Sequence, residues 1–462
     1  MGYKHTHHHG HAHHHHGHAH HHGHAHALRR RDFLAAVAGV AVGLTKGLSG
    51  SSVSSAPAIL QQGDTASDIL IRGGRVVDPA QRLDGRFDVG IRDGRITEVA
   101  TGIDPSGWGE VIEADGRIVT PGFVDLHAHV FEGVSHYGIN ADKYCLSRGS
   151  TTVLDPGSAG AQTFPGFRKY IIEASATRIR ALLNISATGM VTNLRGELLD
   201  LEHANVDRAI QTIEEHRDVI LGVKVRAGRG ISGSNDLVAV ERAREAAEAV
   251  GLPMMMHISR TVTPIDQLLD LLRPGDLLTH SFRRSGTPES RDEGILNSDG
   301  SLRASAADAL ERGALFDVGH GAGSFSFDTM EMAMEQDVLP NTISSDVHTY
   351  NVGTERSPII TPDGVLADGP VYDLATTVSK FLYLGLSLEE AVRKCTATPA
   401  AVFGWDVEIG TLRVGAVGDV AIFEMQTGEH RFVDSYGAVR VGREKLVPWR
   451  TIKDNRTYLP QF

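Results

Sequence analysis

The chain has 462 residues, 41% of them hydrophobic, enough for one large domain or two ordinary ones with a sizeable core. A formal charge of −12 excludes the basic footprint of a nucleic-acid binder. Two cysteines, Cys145 and Cys395, exclude a disulfide framework and a cysteine-rich zinc site, so any metal must be held by His, Asp, Glu or Lys.

Residues 1–26 are a His/Gly/Ala run that carries 15 of the 25 histidines. The run lacks apolar periodicity, which predicts a disordered segment. Metal capture, an expression tag and a passenger ahead of a signal are the readings open to it. Arg29-Arg30-Arg31-Asp32-Phe33-Leu34 and the apolar, glycine-bearing Ala35–Leu44 follow. Residues 27–58 resemble a twin-arginine export signal: Arg30-Arg31-x-Phe33-Leu34 fits its pattern, and Ala56-Pro57-Ala58 fits a small-x-small cleavage site. The apolar run is too short to be a stable membrane anchor. An exported protein, periplasmic or extracellular, is the expectation.

A linker at about 59–67 leads into short strands. Ile69–Val77 reads as strand, Gly-Gly turn and strand, and Arg86–Ile91, Arg95–Val99 and Val111–Ala114 continue the pattern, with Asp-Gly turns at Asp93-Gly94 and Asp115-Gly116. The pattern changes at Pro121. Eight short apolar runs then alternate with helical stretches: Phe123–Leu126, Thr151–Leu154, Ala181–Ile185, Ile220–Val225, Leu252–Met256, Asp276–Thr279, Ala314–Val318 and Thr342–Ser345. Val206–His216, Leu237–Val250, Ser305–Arg312 and Thr329–Gln336 are among the helices between them, and Tyr372–Leu384 and Leu388–Cys395 come last. Near-continuous apolar strands separated by helices mean a parallel sheet covered on both faces, and eight units mean an α/β fold of the (β/α)8 TIM-barrel type over residues 121–403. The β pattern returns in Gly418–Phe423, Arg431–Asp434 and Ala438–Val441. A closed barrel offers no free edge, so residues 59–120 and 404–462 are expected to pair with each other in a small β-sandwich.

Functional residues of such barrels sit at the C-terminal strand ends. His127 and His129 close the first run, and side chains two apart on a strand share a face. Lys224 lies inside the fourth run, and His257, His280 and Asp346 close the fifth, sixth and eighth. Imidazole and carboxylate are ordinary metal ligands. A protonated lysine beside metal would be unfavourable, but burial lowers a lysine's pKa and leaves it reactive. A carbamate on Lys224 would make it an anionic ligand able to bridge two metals; an ion pair with an interior carboxylate is the plainer alternative. Three further residues at the same end are candidates for substrate contact. Arg226 could hold a carboxylate or be tied in a structural salt bridge. His320 could steady an oxyanion or a carboxylate, or be a hydrogen-bonded loop histidine. Tyr372 is a candidate donor. His136, His203 and His216 read as solvated.

The ordered set His127-x-His129, Lys224, His257, His280 and Asp346 resembles the binuclear amidohydrolase superfamily. The strings Val223–Ala227, Thr279–Phe282, Phe316–Gly321 and Gly369–Asp373 are similar to its dihydroorotase-like amidohydrolase/deacetylase branch, and the likeness covers about residues 66–450. That resemblance implies two divalent metal ions, zinc by default. His127, His129 and Asp346 would bind one, His257 and His280 the other, and N6-carboxylysine at Lys224, formed with CO2, would bridge them. It further implies a metal-bridging hydroxide as nucleophile, Asp346 as proton shuttle, a small-molecule substrate and a homo-oligomer. The reaction implied is hydrolysis of an amide or acetyl ester. A dihydroorotase- or hydantoinase-like cyclic amidase is the alternative, although an export signal does not suit a pyrimidine-pathway enzyme. A non-catalytic metal-binding scaffold is the alternative of another class, and the intact ligand set argues against it. Asn351–Asp368 is longer and richer in Pro and Gly than the family pattern, which suggests a lid.

Overall fold

A computed structural model describes residues 67–461 apart from 193, 287–293, 353–358, 361–365 and 368–370. The His-rich run and the export-type segment lie outside the described residues, as does most of the expected lid. The strands are β1 Ile69–Asp78, β2 Leu83–Arg92, β3 Arg95–Ala100, β4 Glu110–Glu113, β5 Ile118–Pro121, β6 Phe123–Asp125, β7 Ser150–Gly160, β8 Arg178–Asn184, β9 Ile220–Gly228, β10 Met254–Ser259, β11 Leu277–Thr279, β12 Leu315–Asp317, β13 Ile359–Ile360, β14 Leu366–Ala367, β15 Val420–Val433, β16 Val439–Lys453 and β17 Arg456–Tyr458.

Strands β6 to β12 form one parallel sheet of seven strands in chain order. The eighth expected run is not a strand, yet it touches both edges of that sheet. Thr342 bridges Asp317 of β12 in parallel, and Val347 bridges Ala128 just beyond β6. Its hydroxyls are turned to side chains: Ser344 Oγ donates to Asp317 Oδ2 (2.7 Å) and Ser345 Oγ to Asp125 Oδ2 (2.5 Å). Asp346, at φ 47°, then breaks the extended path. The helices follow the expected apolar periodicity. Asp236–Val250 buries Ala239, Val240, Ala243, Ala246, Ala247 and Val250 and stops at the left-handed Gly251, as a glycine C-cap requires.

The alternation of the strands sorts the sheet's side chains by height. Met255 and His257 share one face of β10, and Leu277 and Thr279 share one face of β11. Met255 and Leu277 join Val124, Leu126, Leu154 and Leu182 in a separate apolar cluster that also includes Ala400 and Ile409. The polar members lie above it, towards the C-terminal strand ends. The site is therefore floored by packed hydrocarbon.

The two flanks do share a sheet, but it is one sheet, not a sandwich of two. Its order is β17-β16-β15-β5-β1-β2-β3, with β4 also on β1. β5 joins the halves, parallel to β1 and antiparallel to β15. Register shifts in the β1–β2 and β15–β16 pairs bend the strands, so Ile69, Val89 and Ile112 of one flank reach the same small core as Val420, Ile422 and Ile452 of the other. Residues 404–419 add no strand: Ile409 packs under the parallel sheet while Leu412 joins the flank core.

Candidate active site

A cavity of about 360 Å³ lies at the C-terminal strand ends, and His127, His129, Lys224, His257, His280 and Asp346 all line it. Backbone pairing aligns the first and last of these. His129 N donates to Val347 O (3.0 Å) and Asp346 N to His127 O (2.7 Å). Asp346 is thereby set in front of both histidines, with Nε2 of His127 and Nε2 of His129 each 3.3 Å from its Oδ1. The ring centroids of His127 and His129 are 5.3 Å apart, those of His127 and His280 5.0 Å, and those of His257 and His280 4.5 Å.

Three of the four imidazoles are held by their Nδ1 atoms. His127 Nδ1 meets Thr279 Oγ1 (2.8 Å), His129 Nδ1 meets Ser158 Oγ (2.8 Å) and His280 Nδ1 meets Gly319 O (2.6 Å). Thr279 Oγ1 in turn donates to Asp317 Oδ2 (2.8 Å), so its lone pair faces the proton on His127 Nδ1. With Nδ1 carrying the proton, His127 and His280 present an unprotonated Nε2, as in metal-ligating histidines, while the Ser158 hydroxyl on His129 Nδ1 can donate or accept. His257 Nε2 is buried and has no hydrogen-bond partner among the described residues. Burial, above all, holds His127, His129, His257 and His280 well below the usual histidine range, so all four are neutral and able to ligate. Atoms of His127, His280 and Asp346 lie within 4.8 Å of one another. The unprotonated Nε2 atoms of His127 and His280, the His257 imidazole and the carboxylate fit a transition metal bound by nitrogen and oxygen.

Lys224 is fully buried in β9, and its neighbour Gly157 (φ 88°) has no room for a side chain: a Cβ there would stand 2.7 Å from Lys224 Cβ. Among the described residues, Lys224 Nζ has one hydrogen-bond partner, the weakly accepting Met255 Sδ at 3.3 Å. Burial pulls its pKa down to about 7 against the opposing pull of Asp346. Burial likewise raises Asp346 to about 6. Asp346 (φ 47°) and His280 (φ 65°) both hold left-handed backbone conformations, worth about 1–3 kcal/mol each and typical of functional positions.

The three expected substrate residues separate. Arg226, two residues from Lys224 on the same face, lines the cavity and is paired with Glu197 Oε1 (3.2 Å). His320 does not line it. Its ring stacks on Phe325, and its Nε2 meets Lys380 Nζ at 2.8 Å. Tyr372 is also outside the lining. Its carbonyl accepts from Arg148 Nη1 (2.8 Å), and its ring lies under the same guanidinium. Sequence reasoning missed His348 and Tyr137, which line the cavity. His348 stands two residues after Asp346, so the spacing that flagged His127 and His129 flags it as well. The supporting carboxylates were also missed. Asp125 accepts from Ser345, Asp155 from Val130 N and Ser158 N, and Asp317 from Thr279, Thr342 and Ser344. Each reads in sequence as an ordinary polar residue in a strand. His136 and His216 are half-buried rather than solvated: His136 Nδ1 meets Met190 O (2.9 Å), and His216 meets Arg168.

A buried N/O ligand cluster above a hydrocarbon floor, at the C-terminal edge of a parallel sheet, makes this a candidate metal site in an α/β protein. No family model matches the chain. It is 35% identical over 349 residues to a deacetylase of Agrobacterium fabrum, spanning 75% of this chain and 80% of that protein. The crystal structure of a dihydroorotase aligns with a TM-score of 0.75 at 31% identity, covering 86% of this chain and 99% of that one. That of an adenine deaminase aligns with a TM-score of 0.74 at 31% identity, covering 85% and 99%. The chain belongs to the amidohydrolase superfamily and is a hydrolase acting on carbon–nitrogen bonds.

Proposed function

We propose that this enzyme is a metal-dependent deacetylase that cleaves the amide or acetyl ester of a small molecule. The observation that carries the reading is the cavity in which three tethered histidines, His257 with no Nε2 hydrogen bond among the described residues, Lys224 and Asp346 converge, and the deacetylase relative gives it its direction. We read the parallel sheet as closed into an eight-stranded barrel by residues 342–347, which bridge both of its edges.

His127, His129 and Asp346 would hold one divalent metal, His257 and His280 a second, and Lys224, carbamylated by CO2, would join them; zinc suits this donor set. When bound, the metals polarise the acyl carbonyl and make water acidic enough to attack near neutrality. The protein's own part is positional and protonic. Asp346, raised to about 6, is poised to take the proton of the attacking water and return it to the leaving nitrogen or oxygen. Gly321 makes this approach possible, because a Cβ at that position would stand 2.3 Å from Asp346 Oδ2. Lys224 enters as the uncharged amine that burial favours. Arg226, held by Glu197, offers a cation at the wall for a carboxylate on the substrate. Export through the twin-arginine pathway, on the strength of Arg30-Arg31-x-Phe33-Leu34, and assembly as a homo-oligomer belong to the same proposal.

The test pairs metal analysis with turnover. The full chain is loaded with zinc and bicarbonate beside Lys224→Met, so that metal on the His-rich run cancels in the difference. Both are offered N-acetyl amino acids of either hand, acetylated hydroxy acids and cyclic ureides. A difference of about two equivalents, with turnover of an acetylated compound, is the expected result. Turnover of ureides alone would replace this reading with a cyclic amidase. No difference in metal and no turnover would leave a scaffold.

A further inference from the structure

The cavity holds an imidazole for which the ligand set has no use. His348 is 5% exposed and lines the cavity two residues beyond Asp346. Asn351 fixes the turn that carries it: its Oδ1 accepts from His348 N (2.8 Å), while its Nδ2 donates to Asp346 O (2.7 Å). The ring sits against Tyr137 at 4.5 Å and Tyr350 at 5.8 Å, and 6.3 Å from the ring of His129. The decisive contact is at Nδ1, which accepts the backbone N–H of Tyr350 (3.2 Å). A neutral imidazole has one proton, and a backbone N–H can only donate, so the proton of His348 is placed on Nε2. Among the described residues nothing hydrogen-bonds to that Nε2. A protonated Nε2 cannot ligate a metal, and the Nδ1 lone pair is already engaged. What remains is a fixed N–H donor at the wall of a hydrolytic site.

We propose that His348 is a further catalytic residue, which donates its Nε2–H to the acyl oxygen of the substrate as that oxygen becomes negative. This rests on the amide or acetyl ester reading above. The water oxygen bonds to the acyl carbon, and the carbonyl π pair moves onto the acyl oxygen. When that pair returns, the bond from carbon to the leaving nitrogen or oxygen breaks, and the proton taken by Asp346 goes to the leaving atom. His348 keeps its own proton throughout. A donor of this kind, aimed at charge that exists only in the transition state, acts on kcat and not on KM.

Two substitutions separate this role from others. The amide nitrogen of Gln reaches the place of Nε2, whereas that of Asn reaches only the place of Nδ1. On an acetylated compound that the wild-type chain hydrolyses, His348→Asn is expected to lower kcat about 10²–10³-fold with little change in KM. His348→Gln is expected to stay within about tenfold of wild type, and both should carry wild-type metal. In 15N-histidine NMR of the wild-type protein, the signal that His348→Asn removes should show a protonated Nε2 and a bare, hydrogen-bonded Nδ1. A rise in KM with kcat intact, equal losses in the two variants, loss of metal from His348→Asn, or a proton on Nδ1 would each overturn the proposal. A wild-type chain inactive on every acetylated compound would overturn the functional reading as well; an active one matched by His348→Asn would overturn this proposal alone.

Discussion

Lys224 and Lys380 are a natural pair of controls for one another. Each is 1% exposed, and burial pulls each from 10.5 to about 7. Lys380, on the helix Leu374–Tyr383, is satisfied: its Nζ donates to His320 Nε2 (2.8 Å) and to Val433 O (2.7 Å). Among the described residues Lys224 has only a sulfur to donate to, and it faces a group of imidazoles and a carboxylate. A depressed lysine pKa is thus common to a structural cross-link and to a reactive centre. The difference lies in whether the polar atoms around the lysine already have partners, since native interiors rarely leave a buried polar atom unpaired without a function for it.

The largest effect is expected where partners are missing. Lys224→Met keeps the length and removes the nitrogen. It should lower kcat/KM on the order of 10³-fold or more, about 4 kcal/mol of transition-state stabilisation, with loss of bound metal. Asp346→Asn should follow, lowering kcat about 10²–10³-fold, because the amide can neither accept the water's proton nor hold a metal as a carboxylate does. Steady-state kinetics with metal analysis reads both. If Lys224→Met were as active as Lys380→Met, the contrast between the two lysines would have no chemical meaning.

Lys380→Met should leave kcat within about tenfold, its effect falling on stability instead. The pH dependence has a definite sign. Between about pH 7 and 10.5 the unfolded chain binds a proton at Lys380 that the folded chain has lost, so the wild type gains stability as pH rises through that window. The gain over Lys380→Met should approach, at most, about 1.4 kcal/mol per pH unit. Urea denaturation of the two proteins at pH 8 and pH 10 measures it. A difference that does not change with pH would mean that Lys380 stays charged in the fold.

The same pair shows how far the sequence could be read. All six ligand candidates were legible because each stands inside or at the end of an apolar run, and the strand's two-residue period brings them to one mouth. His320 obeyed the same rule and still went elsewhere. Gly319 (φ 47°) and Gly321 (φ 55°) turn the chain on either side of it, and the ring swings towards Lys380. A strand-end rule carries no information on such turns. The flank sheet was half legible. Its strands were visible, but the pairing of β5 with β15 joins segments about 300 residues apart, and neither carries a mark of the other. Nor could the sequence reveal that Ser344 and Ser345 spend their hydroxyls on Asp317 and Asp125, leaving bridges where an eighth strand was expected.

The smallest effect tests whether the flank sheet reaches the chemistry at all. The turn between β15 and β16 lies beyond the parallel sheet, yet it holds the wall segment that contains Ala322, Gly323 and Ser324. Ser435 Oγ donates to Gly321 O (2.9 Å), and the Tyr436 hydroxyl donates to Gly323 O (2.9 Å) while accepting from Arg284 N (3.2 Å). Gly321 is the residue whose missing side chain admits Asp346, so one hydrogen bond and one close contact separate the turn from Asp346, the proton shuttle proposed above. Tyr436→Phe keeps the ring and deletes the hydroxyl. The lost bonds are worth about 0.5–1.5 kcal/mol each at most, and half-exposed groups recover part of that from water. The expected outcome is a stability loss near the lower figure and a kcat within about twofold of wild type, because Ser435 still pins the segment. A tenfold fall in kcat at unchanged stability would show instead that the wall is set from the flank, and that the line between the structural lysine and the reactive one runs closer to Lys380 than the hydrogen bonds alone imply.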